Sequence, residues 1–313
     1  MKKLGVLLAA VFLIAVGAVG GYIYAEKKAE EKFKAKVEKT LAEAGLREKV
    51  KVGSYSVSLV KREASLENVK IEPSVKDYGD FLVELKVIKK ISFLDYREDP
   101  KLKVPTSLKA AFEGIELYIK DKKKGAELPL NLSGLYWLSY QPQEAFLDTS
   151  FNLGGNLFEF KEEFALEGIE PSLIEDLREL AETEQVNPLN PKTAFLFSKL
   201  LQIKPKKLEL RYYDRGFLRS LIEISSENPE EEVKEAVREI EESLKRESSP
   251  YLKPIFRGIE RALKEGKGGF EVVLVNRGGL SLQDFGALMV SVRTPEELFK
   301  ILSSKIEVQV REL

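Results

Sequence analysis

Between about Val50 and Glu167, apolar residues recur at every second position. Tyr55, Val57 and Leu59 alternate with small or polar partners, and Val83, Leu85 and Val87 alternate with Glu84 and Lys86. Ile115, Leu117 and Ile119 oppose Glu116, Tyr118 and Lys120; Leu147, Thr149, Phe151 and Leu153 oppose Asp148, Ser150 and Asn152. A period of two predicts strands with one dry and one wet face, and so an antiparallel sheet. Turn signals at Lys124-Gly125 and Gly154-Gly155 suggest a meander.

Beyond Pro171 helical periods enter. Leu173 to Leu180 and Ala194 to Leu201 read as helices, and Leu208 to Tyr213 returns to a strand. Asp214-Arg215-Gly216 then turns into a further helix. Pro229 to Lys245 places Val233, Val237, Ile240 and Leu244 on one face, and Tyr251 to Leu263 follows in the same way. Gly269 to Val275 and Ile306 to Val310 are late strands, flanking a helix opened by Thr294-Pro295.

At the other extreme, Leu4 to Ala25 is apolar throughout and preceded only by Met1, Lys2 and Lys3. As a helix at about 1.5 Å per residue it reaches roughly 33 Å, enough to cross a hydrocarbon core of about 30 Å. A cleaved signal peptide has the same outline, and Ala18-Val19-Gly20 offers a cut site. The length of the run, and bulky Ile23 three places before its end, favour a retained anchor. Lysines flank both ends of the span. Counting Lys and Arg alone would put the body in the cytoplasm, but long domains translocate largely regardless of charge and a short basic start stays inside, which favours the body outside. Gly17 and Gly21 form a GxxxG pair that would let two such helices approach closely, so a homodimer is one expected partner. From Glu26 to Ala44, charges surround a narrow stripe of Ala29, Phe33, Val37, Leu41 and Ala44, as in a stalk between bilayer and body. The fold predicted is therefore α+β: a transmembrane helix (1–25) and helical stalk (26–45), then a curved antiparallel β-sheet (the β-rich lobe 46–170), with helices packed in the C-terminal half (171–313).

Composition removes whole classes of chemistry. The chain has no Cys and no His, which excludes disulfides, thiol nucleophiles, thiolate metal sites, Ser-His or Cys-His catalysis and HExxH zinc sites. Its net charge is −1, and setting aside Lys2 and Lys3 leaves −3, so nothing suggests a nucleic-acid partner. A charged fraction of 32% with only two Met resembles the composition of a thermophile's protein.

The short motifs are weak. Ser58-Leu59-Val60-Lys61 matches SxxK but sits in a strand pattern, where Ser and Lys do not share a helix face. Gly266-Lys267-Gly268-Gly269 lacks the first glycine and the Ser or Thr of a phosphate loop, and reads as a helix-to-strand turn. Asp95, Glu98 and Asp99 lack the spacing of a calcium loop. Asp214 reads as a helix cap, and Glu230, Glu231 and Glu232 suit the start of a helix. No catalytic residue, cofactor or metal site is expected. What remains is an aromatic cluster on the strands. Trp137, Tyr140, Phe151, Phe158 and Phe160 are the candidate lining of a groove for acyl chains, wherever helices leave the dry face open.

Several phrases taken together resemble the AsmA-like bacterial envelope proteins, including their shorter YdgA-like branch. These are the Lys-Lys apolar start, Ser65-Leu66-Glu67-Asn68-Val69-Lys70-Ile71 and the long strands around Phe151 to Leu166. Leu208 to Gly216 running into Phe217-Leu218-Arg219, and Leu280-Ser281-Leu282 through Thr294-Pro295-Glu296-Glu297-Leu298, complete the set. The resemblance implies an inner-membrane anchor and a β-rich periplasmic body, with no catalytic constellation to carry over. This chain departs from it in being short and helix-rich in its second half. The expected function is non-enzymatic: an anchored envelope protein that binds lipid-like ligands or supports envelope assembly. The alternative is an interaction scaffold that dimerises through anchor and stalk. A carboxylate-based hydrolase would need two acidic groups facing each other at about 5–10 Å.

Overall fold

The structure, a computed structural model, describes residues 26–58, 63–101, 104–182, 191–247, 249–291, 301 and 304–313. Its frame is one antiparallel sheet of 12 strands. In chain order these are β1 (Val50–Lys51), β2 (Ser54–Ser58), β3 (Glu63–Ile71), β4 (Val75–Tyr78), β5 (Phe81–Asp99) and β6 (Val104–Asp121), then β7 (Glu127–Gln141), β8 (Phe146–Gly155), β9 (Phe158–Glu167), β10 (Lys204–Asp214), β11 (Gly268–Asn276) and β12 (Ile306–Glu312). β1 and β2 both pair with β3, and β4 pairs with β5. From β5 onward each strand pairs with the next in the chain, so the path is a meander without crossovers.

The helices lie over this sheet and at its ends. They are α1 (Glu26–Glu43), α2 (Pro171–Glu182), α3 (Pro191–Leu201), α4 (Phe217–Ser225), α5 (Pro229–Arg246), α6 (Leu252–Glu265) and α7 (Leu282–Ser291). α1 runs back along β3. Phe33 packs edge-on to Tyr55 and Phe93, and the turn after the helix reaches the other end of β3, where Glu72 N–H donates to Lys49 O. Phe33, Val37 and Leu41 are buried together with Leu66, Ile88, Ile91, Leu108 and Phe112, which is the main core. α4 and α6 pack on the same face only at the end where β9 and β11 begin, through Phe217 on Phe158 and Gly258 on Gly269, and α5 packs on these two helices. Gly258 of α6 lies so close to β11 that an added Cβ would stand 2.0 Å from Gly269 O, so the contact depends on glycine.

These findings correct the α+β prediction. Strands of the expected β-rich and α+β segments form one sheet: β9 pairs with β10 from Lys204↔Glu167 to Asp214↔Phe158, and β10 pairs with β11 along most of its length. Strand outweighs helix, and the helices that periodicity located are insertions between neighbouring strands. The expected stalk is also corrected, because α1 is packed on the sheet and its apolar stripe is buried there. Such a stripe is stabilised by any apolar partner, and the nearest is the dry face of β2, β3 and β5. Among the described residues no helix is long and apolar enough to cross a membrane. The run 4–25, with Gly17 and Gly21, lies outside the described residues.

Candidate functional site

Antiparallel register decides which side chains share a face. One row across the dry face reads Leu66, Ile91, Phe112, Gly134, Leu153, Phe160, Tyr212 and Phe270. Under α1 this face is sealed. From β8 to β12 it is not: Phe151, Phe160, Phe164, Leu208, Leu210, Val272, Leu274 and Val308 all lie on it, and each remains partly exposed. Glu162 sits in the middle of this region, directly opposite Phe151 and Leu210. Among the described residues no Lys or Arg forms an ion pair with it. A carboxylate on an apolar face needs water or a polar partner, which fits a surface open to solvent better than a closed core.

Each predicted groove residue can now be placed. Phe151 and Phe160 are diagonal neighbours on the open part of the dry face. Phe158 shares that face but closes its far end, stacked on Tyr212 and set 5.1 Å from the Phe217 ring. Tyr140 is buried, and its hydroxyl donates to Ile169 O at 2.9 Å; burial first, then Asp99 and Glu170, pushes its phenol up to about 12. Trp137 does not join them. It pairs with Lys109 and Ser150 on the opposite, wet face. Sequence reasoning missed Leu208, Leu210, Val272, Leu274 and Val308. Their alternation is visible in the sequence, but their shared face with Phe151 follows from strand pairing alone.

The wet face is held by charges. Glu163 and Glu209 are directly opposite each other, a like-charge pair that would destabilise the sheet. Diagonal lysines resolve it: Lys161 reaches Glu163 at 2.6 Å and Glu209 at 3.1 Å, and Lys207 reaches them at 2.7 and 2.8 Å. Hydrogen bonds from Lys161 and then Lys207 hold the Glu163 carboxyl down at about 2. Its folded value lies below its ordinary 4.5, so its stabilisation is present above that pH and is lost as pH falls towards 2. Discounted for partial exposure, the loss is expected to be on the order of 1–2 kcal/mol. Urea midpoints of wild type and Glu163→Gln, compared at pH 6 and pH 3, test this. The variant should lose that share of the acid dependence.

One strand away, burial and then the Glu163 charge push the Asp148 carboxyl up, against Lys207. The two carboxylates therefore diverge, as acid–base pairs do. However, Glu163 is held by two lysines, and the nearest hollow, about 490 Å³, is lined by Ser133, Asn152, Gly154, Glu159, Lys161 and Arg211, among others, and not by Asp148. Elsewhere, Asp95 accepts from Ser107 and Glu98 from Tyr96, and Gly266 ends α6 in the left-handed region before β11 begins. Ser58 ends β2, and the rest of the SxxK match lies outside the described residues. Set against known proteins, the chain matches no family model and no curated protein.

Proposed function

We propose that this chain is a membrane-tethered, non-catalytic envelope protein whose extracytoplasmic body binds an acyl-bearing lipid along the dry face of β8 to β12. One observation carries the reading. A continuous apolar face, sealed by a helix over one half of the sheet, is left partly open over the other half with a carboxylate in its midst. Acyl chains gain by covering such a surface in proportion to the apolar area removed from water, about 25 cal/mol per Å². The apolar run 4–25 supports the tether, and the resemblance to AsmA-like proteins points the same way. The dimerising alternative loses part of its basis, because the stripe on α1 is already buried against the chain's own sheet.

Native mass spectrometry of the full-length protein in mild detergent tests the lipid. Wild type is expected to retain adducts of acyl-lipid mass. Phe164→Asp with Leu210→Asp should weaken their binding about thirtyfold, as expected when two half-buried apolar contacts of about 1 kcal/mol each are lost. Both positions are partly exposed, so the far-UV spectrum should not change. Wild type carrying no acyl-bearing species would overturn the proposal.

A further inference from the structure

Strand direction separates the two ends of the sheet. The end where β5, β7, β9 and β11 finish is also where β6, β8, β10 and β12 begin. α2 and α3 bridge β9 to β10 there, and α7 follows β11 there, with Leu282 N–H donating to Ile203 O at 2.8 Å. α1 also starts at this end, since its C-terminal turn meets the opposite end of β3. Glu26, the residue that follows the apolar run 4–25, is therefore at the same end as α2, α3 and α7.

These helices are apolar on both sides. Leu173, Leu196 and Leu200 pack inward with Ile203. Leu177, Phe195, Phe197, Leu201, Leu282 and Val290 face out, with Phe195 61% and Val290 89% exposed. α2 and α3 also carry charges, with Lys199 paired to Asp176 at 2.6 Å, so the outward apolar side chains form a patch beside a polar strip, and nothing among the described residues covers that patch. The opposite end differs. Its hairpin turns carry Asp80, Lys122 and Lys123, and its exposed Val75 and Tyr78 flank Lys76 and Asp77, the latter paired with Lys122.

We infer that the α2–α3–α7 end docks on the surface of a lipid bilayer, its outward apolar side chains inserted to the level of the upper acyl chains. This rests on the tether proposed above. It adds an orientation: the sheet stands on the membrane, and the open apolar face of β8 to β12 runs up from it. Chain continuity selects a bilayer as the occupant, because a segment able to enter one leaves the body at this same end. Amphipathic helices at an interface bury their apolar side about 5–10 Å below the headgroups.

The absence of cysteine makes a direct test simple. Full-length protein carrying Phe197→Cys, Val290→Cys or, at the far end, Lys123→Cys is labelled with an environment-sensitive dye. It is then reconstituted into phosphatidylcholine–phosphatidylglycerol vesicles containing a spin-labelled acyl lipid, and flotation is measured in the same samples. The dyes at 197 and 290 should be quenched about twofold more than the dye at 123, as expected for insertion to that depth. Protein that floats with the vesicles while all three dyes are quenched alike overturns the docking and leaves the tether standing. Protein that fails to float overturns both.

Discussion

Phe33→Ala is expected to destabilise the protein by about 3–5 kcal/mol, the usual cost of emptying a buried aromatic site. Phe33 is 1% exposed and packs edge-on against Tyr55 and Phe93, each with ring centroids 6.1 Å away. α1 has little stability of its own. It is rich in Lys and Glu, a helix of this length is marginal in water, and its surface pairs such as Lys39–Glu43 are largely exposed. Its formation therefore depends on burying Ala29, Phe33, Val37 and Leu41 against the sheet. Denaturant midpoints of wild type, Phe33→Ala and Lys39→Ala decide the matter. The Lys39 variant should stay within about 0.5 kcal/mol of wild type. Equal midpoints for the two variants would show that α1 stands free of the sheet.

That helix marks where sequence information stops. The stripe itself is legible, because a period near four is local. What covers it is not local. A free stalk, a helix paired with a copy of itself and a helix laid on its own sheet all require the same apolar positions. The strands show the same limit in another form. Alternation located β2, β6 and β8, yet concealed the length of β5, whose register slips at Leu85/Val87, Phe93/Asp95 and Arg97/Glu98. An irregularity moves the dry positions by one residue, so Phe81, Val83 and Leu85 are out of phase with Ile88, and Ile91 and Phe93 with Tyr96, although all pack in one core.

The candidate site was legible in composition more than in geometry. The aromatic density of β7 to β9 is plain in the sequence, and Phe151 and Phe160 do lie on the open part of the dry face. Trp137 was misplaced for a definite reason. Leu135-Tyr136-Trp137-Leu138 is apolar at both parities, so its pattern has no phase, and only pairing with β6 and β8 sends Tyr136 to one face and Trp137 to the other. The remaining residues of the face come from β10, β11 and β12, separated from β9 by helical insertions. Their adjacency is a property of the meander, and no local pattern encodes it.

Asp214→Ala is expected to cost about 3 kcal/mol or more, comparable to the loss at Phe33, through a different mechanism. Asp214 is fully buried where β10 turns into α4. Its carboxylate accepts from the Tyr212 hydroxyl at 2.5 Å, from Gly216 N–H at 2.7 Å and from Leu218 N–H at 3.1 Å. Removing it leaves a phenol and two amide donors unsatisfied, and hydrogen bonds to a charged acceptor contribute about 1.5–3 kcal/mol each before any relaxation. Asp214→Asn keeps one acceptor oxygen and should recover part of the loss. A second readout separates capping from general damage. Burial, and after it the bond to Asp214, pushes the Tyr212 phenol up, so spectroscopic titration of the alanine variant should find this tyrosine lowered yet still above an ordinary one. A loss below about 1 kcal/mol would mean that water replaces the carboxylate and that the corner is not held by it. The expected loss would also reach the open apolar face, because α4 carries Phe217 onto Phe158 and closes its far end. A loosened corner should therefore weaken lipid retention as well as stability, while Phe164→Asp with Leu210→Asp should weaken retention alone.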